Sequence, residues 1–400
     1  MPRAAASIDP PVYLDKQGNT LPADAPGEQI AQSVYDIKLR PGMRYAPHPA
    51  FAKKSDGSYA YFPVACAELQ DKYAIPDFPL TGTRDLTADD YVYAIRRLAS
   101  PRVVSPIYSL MAEYVHGLKD YGDRLRLRDQ ALRRGAGRAR APPWLDLREA
   151  DGFDGVQALD PLTLRIRVNG KYPQFKYWLA MTFTAPIPWE ADRFYSQPGM
   201  AEQDLSFNTW PVGTGPYMLV ESLQNRRHVL ARNPNFHGEP YPCEGEPGDQ
   251  AAGLLADCGK PTPFVDRAVF NVEKEAIPLT GKFLQGYYDV PQIERGEYGV
   301  AMLVAAGDSQ DKARKYREHG IKLPTTVETA NWYMGFNWLD PVVGKGDTPE
   351  QADRNRKLRR PSASPSTGKN TWRCSRTARP RSPMARCRRA CWATASRPRA

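Results

Sequence analysis

The stretch WPVGTGPYMLVESLQNRRHVLARNPNFHG, residues 210–238, decides the fold. Gly213 and Gly215 permit a tight turn, and Pro216 fixes the backbone where the following strand begins. A mostly apolar run leads to a polar turn and then resumes, which predicts two strands, and Asn233-Pro234 ends the second of them. The stretch therefore predicts a glycine-rich turn followed by a β-hairpin.

Helices and strands are predicted on both sides of this hairpin. LTADDYVYAIRRLASP (86–101) is the clearest helix, since Thr87 is a good N-cap, Asp90 completes a capping-box pattern and Pro101 prevents continuation. LTLRIRVNG (162–170) alternates apolar and polar residues, as a half-buried strand does. The mixture predicts an α/β or α+β fold.

No run of about 18 apolar residues is present that would predict a membrane span. The remaining segments add further helices, strands and loops to this outline. The further predictions are a loop over residues 1–34, a strand and a Pro-Gly turn leading into another strand in YDIKLRPGMRY (35–45), a helix from Ser105, a strand in PFVDRAVFNVEKE (263–275), a helix giving way to a short strand in LTGKFLQGYYDVPQI (279–293), and an aromatic strand in ANWYMGFNWLDP (330–341).

Positive charge is concentrated at the C-terminus. The formal net charge is +10, yet residues 359–400 hold 12 basic residues and no acidic one, so the rest of the chain is nearly neutral. A basic-tailed nucleic-acid-binding protein is the alternative interpretation, to which seven arginines between Arg124 and Arg140 add. Glycines and prolines interrupt an extended basic face there, and the neutral body favours a solvated helix and loop.

Motifs that would nominate an enzyme are missing from the sequence. Nucleophile-elbow, phosphate-loop and HExxH patterns do not occur, and the five histidines are scattered singly. Cys243 and Cys258 lie in a Gly/Pro/acid-rich loop without zinc-site spacing, and either a loop disulfide or two free thiols fits them. We expect no enzyme, no metal and no cofactor, and an enzyme built from dispersed residues ranks third.

In this order the pieces resemble one family, the extracellular solute-binding proteins of family 5, which are oligopeptide- and dipeptide-binding subunits of ABC importers. Residues 210–238 look like the family's Gly-Thr-Gly-Pro-Tyr turn, hairpin and Arg-Asn-Pro-Asn ending. YDIKLRPGMRY with DLTADDYVYAIRRLASP is similar to its strand, Leu-Arg-Pro-Gly turn and Thr-Ala-x-Asp helix. NWYMGFNWLDP and NRKLR fit its aromatic strand and the start of its next helix.

The resemblance implies a two-lobed, periplasmic-binding-protein-like α/β fold with an extra subdomain in lobe one and a ligand cleft between the lobes. The expected domains are an irregular segment over 1–34, lobe one with its inserted subdomain over 35–277, part of lobe two over 278–358, and a disordered basic tail over 359–400. By matching positions, the residues expected to contact ligand are Tyr108, Tyr287, Tyr288, Asp289, Trp332 and Tyr333. Packed core aromatics are the alternative for the tyrosines and tryptophan, and the Asp289 carboxylate could meet a cationic ligand group.

The expected partners also follow from the resemblance. They are a small peptide or similar solute and the permease and ATPase subunits of an importer, with no nucleic acid, and the protein is expected to be a monomer. Nickel complexes, opines and sugars stay open as ligands. The intact family member is periplasmic, whereas this chain shows no signal peptide at its start and is expected to stay in the cytoplasm.

The basic tail departs from the family and leads to a reading-frame hypothesis. PSASPSTGKNTW (361–372) can be encoded by codons that, regrouped from a preceding G, read AISIAIDWKEYL, similar to the amphipathic helix that the family places after its Arg-Lys-Leu-Arg stretch. A tail rich in Arg, Pro, Ser and Ala without acids cannot bury enough apolar surface to fold. We expect a fragment that starts late and is frameshifted near codon 360, non-functional as written, with open sheet edges.

Overall fold

The computed structural model of the 400-residue chain describes residues 4–136, 143–149, 152–274, 276–290, 318, 320–321 and 335–363. The chain divides into two compact units, Met1–Gln292 and Ile293–Ala400. The first unit holds all the described strands and most of the described helices. None of the described helices is long and apolar enough to cross a membrane.

The described strands are β1 (Ala5–Ile8), β2 (Val12–Leu14), β3 (Thr20–Leu21), β4 (Gln32–Leu39), β5 (Val156–Asp160), β6 (Thr163–Asn169), β7 (Tyr217–Leu223), β8 (Arg227–Arg232), β9 (Glu239–Pro240), β10 (Pro261–Thr262) and β11 (Arg267–Asn271). The described helices are α1 (Ala88–Leu98), α2 (Tyr108–Tyr114), α3 (Leu118–Gly135), α4 (Phe175–Trp178), α5 (Trp189–Tyr195), α6 (Ala276–Leu284) and α7 (Pro349–Ala363). This mixture of helices and sheets is the α/β class that the sequence predicts.

A six-stranded antiparallel sheet is built around β4. Its order is β3-β2-β4-β6-β5, and β1 pairs with the second half of β4, beyond the part that pairs with β2. Alternation along β6 buries Leu164, Ile166 and Val168 against the helices. Helices α1, α2 and α3 cover this face and form one hydrophobic core with it.

A second core lies beside the first and is made from loops and α5. Its members include Tyr45, Phe51, Phe78, Phe194 and Trp210, so the stretch that begins at Trp210 contributes directly to it. The turn after β4 places Gly42 at φ +76°, in the left-handed region, as the predicted Pro-Gly turn requires. The strand expected after this turn is reduced to an isolated bridge between Arg44 and Asp85.

The predicted hairpin is confirmed and is part of a three-stranded sheet. Strands β7 and β8 pair from Tyr217 opposite Arg232 to Leu223 opposite Arg227, and β11 pairs with the other side of β8. The short strands β9 and β10 form a separate ribbon. This part of the chain has few buried side chains, of which Val229 on β8 is one.

Helix α1 begins as its sequence predicts, because the backbone N–H of Thr87 donates to the carboxylate of Asp90 at 3.0 Å. The loop expected over residues 1–34 is wrong for β1, β2 and β3, which are strands. These are two to four residues long and are specified by pairing with β4 and with one another rather than by their own composition.

Two further expectations need correction. After α6, residues 285–290 form turns and bends rather than a strand, and residues 335–341 are loop and turn rather than an aromatic strand. The rest of both predicted strands lies outside the described residues. In the second unit, Asn355 on α7 donates to the carbonyl of Pro341, and Arg359 stacks 4.6 Å from the Trp338 ring, so this loop packs on the helix.

Candidate functional site

The Gly-Thr-Gly-Pro turn is held against the loop after β4 by main-chain and amide hydrogen bonds. The N–H of Ala46 donates to the carbonyl of Gly213 at 2.9 Å, and the Asn235 amide donates to the carbonyl of Tyr45 at 2.8 Å. Residues 45 and 46 are therefore hydrogen-bonded both to this turn and to the residues that follow β8.

A buried histidine adds a third attachment to this region. Nδ1 of His48 accepts from the N–H of Ala50 at 3.1 Å, so the proton of the neutral ring lies on Nε2. Nε2 then donates to the hydroxyl of Tyr195 at 2.8 Å, and that hydroxyl donates to the carbonyl of Trp210 at 2.6 Å. Burial lowers the pKa of His48 to about 3. The arrangement therefore works with an uncharged imidazole, in a structural role.

A buried ionic cluster joins the segment before α1 to α1 and α5. The Arg84 guanidinium donates to both oxygens of Asp90 at 2.6 and 2.9 Å and to both oxygens of Glu190 at 2.7 Å. The side chains of Asp90 and Glu190 are each 3% exposed. Burial raises the pKa of the Asp90 carboxyl, and Arg84 opposes that shift. The cluster is closed to solvent on its acidic side, which fits a structural role.

Of the predicted ligand contacts, Tyr287, Tyr288 and Asp289 lie together in the turn after α6. The Tyr288 hydroxyl donates to Glu273, which also binds Lys282. That hydrogen bond to the carboxylate raises the pKa of the Tyr288 hydroxyl. Tyr287 is 72% exposed, and Asp289 is exposed as well. Three potential contact groups are thus presented in consecutive positions on a surface turn.

Tyr108 has a different environment. Its hydroxyl is buried without a hydrogen-bond partner among the described residues and lies over Gly122 of α3, where a Cβ atom would overlap it. Burial raises the pKa of this hydroxyl. The geometry is that of a packing contact between α2 and α3, the alternative named for the aromatic candidates. Trp332 and Tyr333 lie outside the described residues.

Cys243 and Cys258 form a disulfide, with an S–S distance of 1.95 Å and a Cα–Cα distance of 4.6 Å. The loop that it closes is also held at its base, where the N–H groups of Tyr241 and Gly259 donate to the carbonyls of Lys260 and Tyr241 at 2.9 and 3.0 Å. Of the two states that the sequence left open, the structure therefore has the bridged one.

The arginine-rich stretch is mostly helix α3, and several of its charges are paired within the chain. Arg133 binds Asp129 at 2.7 Å, and Arg128 binds Glu149 at 2.7 Å. Arg138 and Arg140 lie outside the described residues. These pairs fit the solvated helix and loop that the sequence favours.

The ionic cluster around Arg84 and one apolar cavity were not predicted from the sequence. An apolar cavity of about 450 Å³ lies between the end of α1, residues 103–107 and the segment around Phe183 and Ile187. Within the part of the chain that is described, no three His, Cys, Asp or Glu side chains come close enough to hold a metal ion. Neither the cavity nor the ionic cluster around Arg84 involves a predicted ligand contact.

Comparison with known proteins defines the class. The family model for "Bacterial extracellular solute-binding proteins, family 5 Middle" matches residues 81–346, about two thirds of the chain. The matched region includes α1, the three-stranded sheet and the turn after α6. This chain belongs to the bacterial extracellular solute-binding proteins of family 5.

Individual relatives are similar over part of their length. The periplasmic oligopeptide-binding protein OppA of Salmonella typhimurium is 26% identical over 211 residues, which are 53% of this chain and 32% of that protein. This chain thus spans about a third of the curated relative that it matches.

Similar solved structures include the substrate-binding domain of an oligopeptide ABC transporter from Bacillus anthracis, with 16% identity, a TM-score of 0.41 and coverage of 79% of this chain and 38% of that one. They also include the OppA protein of Burkholderia pseudomallei, with 17% identity, a TM-score of 0.40 and coverage of 74% and 41%.

Proposed function

We propose that the gene encodes the solute-binding component of an ABC import system and that its ligand is an oligopeptide. The observation that carries the proposal is the family match over residues 81–346, together with the similarity to a periplasmic oligopeptide-binding protein. In this role the protein is not an enzyme and needs no cofactor. Its partners are a membrane permease and an ATPase, and the intact protein works in the periplasm.

The turn after α6 is the part of the described structure that best suits ligand binding. An exposed aromatic ring offers rigid contact area, and a carboxylate beside it can pair with a cationic group. Tyr287 and Asp289 have these properties and are exposed. Tyr288 is placed between them by its hydrogen bond to Glu273. We therefore propose a preference for peptides that carry positive charge.

The proposal includes the reading frame. Codons compatible with residues 361–372 regroup into AISIAIDWKEYL when one G is inserted after codon 360. The continuous amphipathic sequence that results is capable of folding, whereas the basic tail as written has no acidic residue and little apolar surface to bury. The loss of a single nucleotide would thus explain the net positive charge of the chain. It would also make the protein with this tail defective in ligand binding.

The test compares the chain as written with the product of the same gene carrying one inserted nucleotide after codon 360. Trilysine, trialanine and triglutamate serve as probes, and thermal unfolding is followed with each at 1 mM. We expect the melting temperature of the repaired product to rise with trilysine most of all, because a ligand bound only by the native state stabilises it. The chain as written should respond less.

Two results would contradict the proposal. If no peptide stabilises the repaired product while a nickel complex, an opine or a sugar does, the ligand class is wrong. If sequencing the locus confirms the frame of the written tail, the frameshift is wrong, and the family assignment is unaffected.

A further inference from the structure

Lys282 on α6 lies in an environment that suits the cationic group of a ligand. Its ammonium group donates to Oε1 of Glu273, and Nζ lies 5.9 Å from the centre of the Tyr288 ring. The Tyr288 hydroxyl donates to the same carboxylate oxygen. A carboxylate combined with an aromatic ring within about 6 Å is typical of sites for an ammonium or guanidinium group. Glu273 and Tyr288 therefore form a small cation-binding site, and a lysine of the same chain occupies it.

Hydrogen bonding favours the charged form of both partners in this site. The hydrogen bond to Glu273 raises the pKa of the Lys282 amine. The hydrogen bonds from Lys282 and Tyr288 lower the pKa of the Glu273 carboxyl. At neutral pH the site therefore contains an ammonium group and a carboxylate. A ligand cation in the place of Lys282 would meet the same carboxylate and the same ring.

Lys282 can leave this place without losing its solvation. Its side chain is 43% exposed, whereas that of Glu273 is 20% exposed. An exposed ion pair contributes little to stability, because water solvates the two separated charges nearly as well. The flexible stem of a lysine lets its ammonium group turn into solvent while the helix backbone stays in position. Glu273 would keep its hydrogen bond from Tyr288 during this exchange.

The site is adjacent to the proposed ligand contacts. Tyr287 and Asp289 stand on either side of Tyr288 in the sequence, and both are exposed. A peptide bound at these two residues thus brings its side chains close to the Tyr288 ring and to the carboxylate that this residue contacts. Lysine and arginine have long side chains with several N–H donors at the end, which suits them to reach the partly covered carboxylate of Glu273.

From these contacts we propose that Glu273 and Tyr288 receive a lysine or arginine side chain of the bound peptide and that this side chain displaces Lys282. Lys282 is then an internal competitor, which weakens the binding of cationic peptides and leaves that of neutral peptides unchanged. The inference rests on the proposed peptide-binding function. It adds the residue that recognises the cation, Glu273, and the residue that limits the affinity, Lys282.

A chemical readout follows Lys282 itself in the 400-residue chain. An amine held as an ammonium group by a carboxylate reacts slowly with acylating reagents, because only the neutral form reacts. N-acetylarginine amide serves as the probe, since it carries a guanidinium group and no primary amine. Relative to sodium chloride at the same concentration, it should raise the acylation of Lys282, measured by mass spectrometry, about twofold or more. Lys260, which pairs with Asp257 at 2.6 Å, is the internal control and should change less. Equal changes at both lysines, or none, would overturn the displacement.

Lys282→Met in the repaired product tests the competition. We expect trilysine affinity to rise roughly two- to fivefold, the range that an exposed ion pair contributes, while trialanine affinity stays the same. Lys260→Met is the matched control and should change neither. If Lys282 only holds Glu273 and Tyr288 in place, its loss would instead weaken both peptides. Calorimetric titration therefore separates the two roles by the sign of the change.

Glu273→Gln tests the carboxylate and completes a double-mutant cycle. Glutamine keeps an acceptor for the Tyr288 hydroxyl but has no charge, so trilysine affinity should fall about fivefold or more. In this background Lys282→Met should give no further gain, because no carboxylate is left for Lys282 to release. An undiminished gain would mean that Lys282 acts through net charge alone, which would overturn the displacement.

The outcomes separate this inference from the function on which it rests. If neither trilysine nor trialanine binds the repaired product, the proposed function is wrong and the inference falls with it. If trilysine binds the repaired product and Lys282→Met weakens its affinity or leaves it unchanged, only the inference is overturned.

Discussion

Nε2 of His48 donates a hydrogen bond of 2.8 Å to the hydroxyl of Tyr195, which lies 147 residues later in the chain. The same hydroxyl donates to the carbonyl of Trp210. A proton added at Nδ1 of the ring would displace the N–H of Ala50, which donates there. The contact between the loop after β4, α5 and the turn region thus depends on a neutral histidine.

The stability of the fold should therefore decrease as the pH is lowered, over a window set by the folded and unfolded pKa values of His48. The folded-state pKa is about 3, and the ordinary value is 6.5. Below pH 6.5 the unfolded chain binds a proton that the folded chain does not, so the stabilisation is complete above 6.5 and is lost as pH falls toward 3. We expect the free energy of unfolding to be about 2 kcal/mol lower at pH 5 than at pH 7.

Urea denaturation at several pH values measures this loss. His48→Gln should flatten the profile between pH 6.5 and 5, and the matched control His237→Gln should keep it. An unchanged slope in the His48 variant would assign the pH dependence to other groups.

The cluster around Arg84 should be costly to break. Arg84→Met leaves Asp90 and Glu190 buried without their cation, and removing one partner of a buried ionic cluster costs about 3–5 kcal/mol. Arg44→Met is the matched control, because Arg44 and Asp85 are 48% and 66% exposed and such a pair contributes about 1 kcal/mol or less. Equal losses in the two variants, measured by urea unfolding, would contradict the structural role of the Arg84 cluster.

Because Tyr108 contacts Gly122, we expect the usual preference of a helix for alanine over glycine to be reversed at position 122. Alanine normally stabilises a helix relative to glycine, by about 1 kcal/mol. At position 122 a Cβ atom would overlap the Tyr108 hydroxyl, so we expect Gly122→Ala to destabilise by about 1–3 kcal/mol. Tyr108→Phe should cost less than about 0.5 kcal/mol, because the buried hydroxyl has no described partner.

A double-mutant cycle checks this contact. Tyr108→Phe should relieve part of the Gly122→Ala penalty, which gives a favourable coupling energy. Additive effects would mean that the two positions do not interact. A loss of peptide affinity in Tyr108→Phe of the repaired product, without loss of stability, would instead favour the ligand role.

Asp289 should govern charge preference in the repaired product. Asp289→Asn removes an exposed carboxylate, so we expect trilysine affinity to fall about five- to tenfold while trialanine affinity changes little. Asp24→Asn, another exposed carboxylate, is the control. Calorimetric titration separates the cases, and an equal loss for both peptides would show that Asp289 acts through the shape of the turn.

The sequence predicted the elements whose signals are local. The hairpin of β7 and β8 lies between a Gly-Thr-Gly-Pro turn and Asn233-Pro234, and α1 lies between Thr87 and Pro101, so their limits could be placed closely. Strands β2 and β3 could not be found this way. They have three and two residues among prolines and polar groups, and they exist because β4 offers an edge to β2 and β2 offers one to β3.

The candidate site shows the same difference between neighbours in sequence and partners that are distant in sequence. Tyr287, Tyr288 and Asp289 are adjacent in sequence, so their proximity needed no fold. The role of His48 depends on Tyr195, and that of Arg84 on Glu190, which is 106 residues away. Single histidines and arginines carry no sign of such distant partners. Asp90 was recognised as a helix cap, but its second role in the ionic cluster required the tertiary structure.

The disulfide between Cys243 and Cys258 can also record the compartment in which each molecule folded. Protein thiols stay reduced in the cytosol and are oxidised in the periplasm. The two cysteines are 15 positions apart in an exposed loop, so they come together as soon as the chain meets an oxidant. Alkylation of these thiols in freshly lysed cells would therefore report the compartment in which each copy of the protein folded.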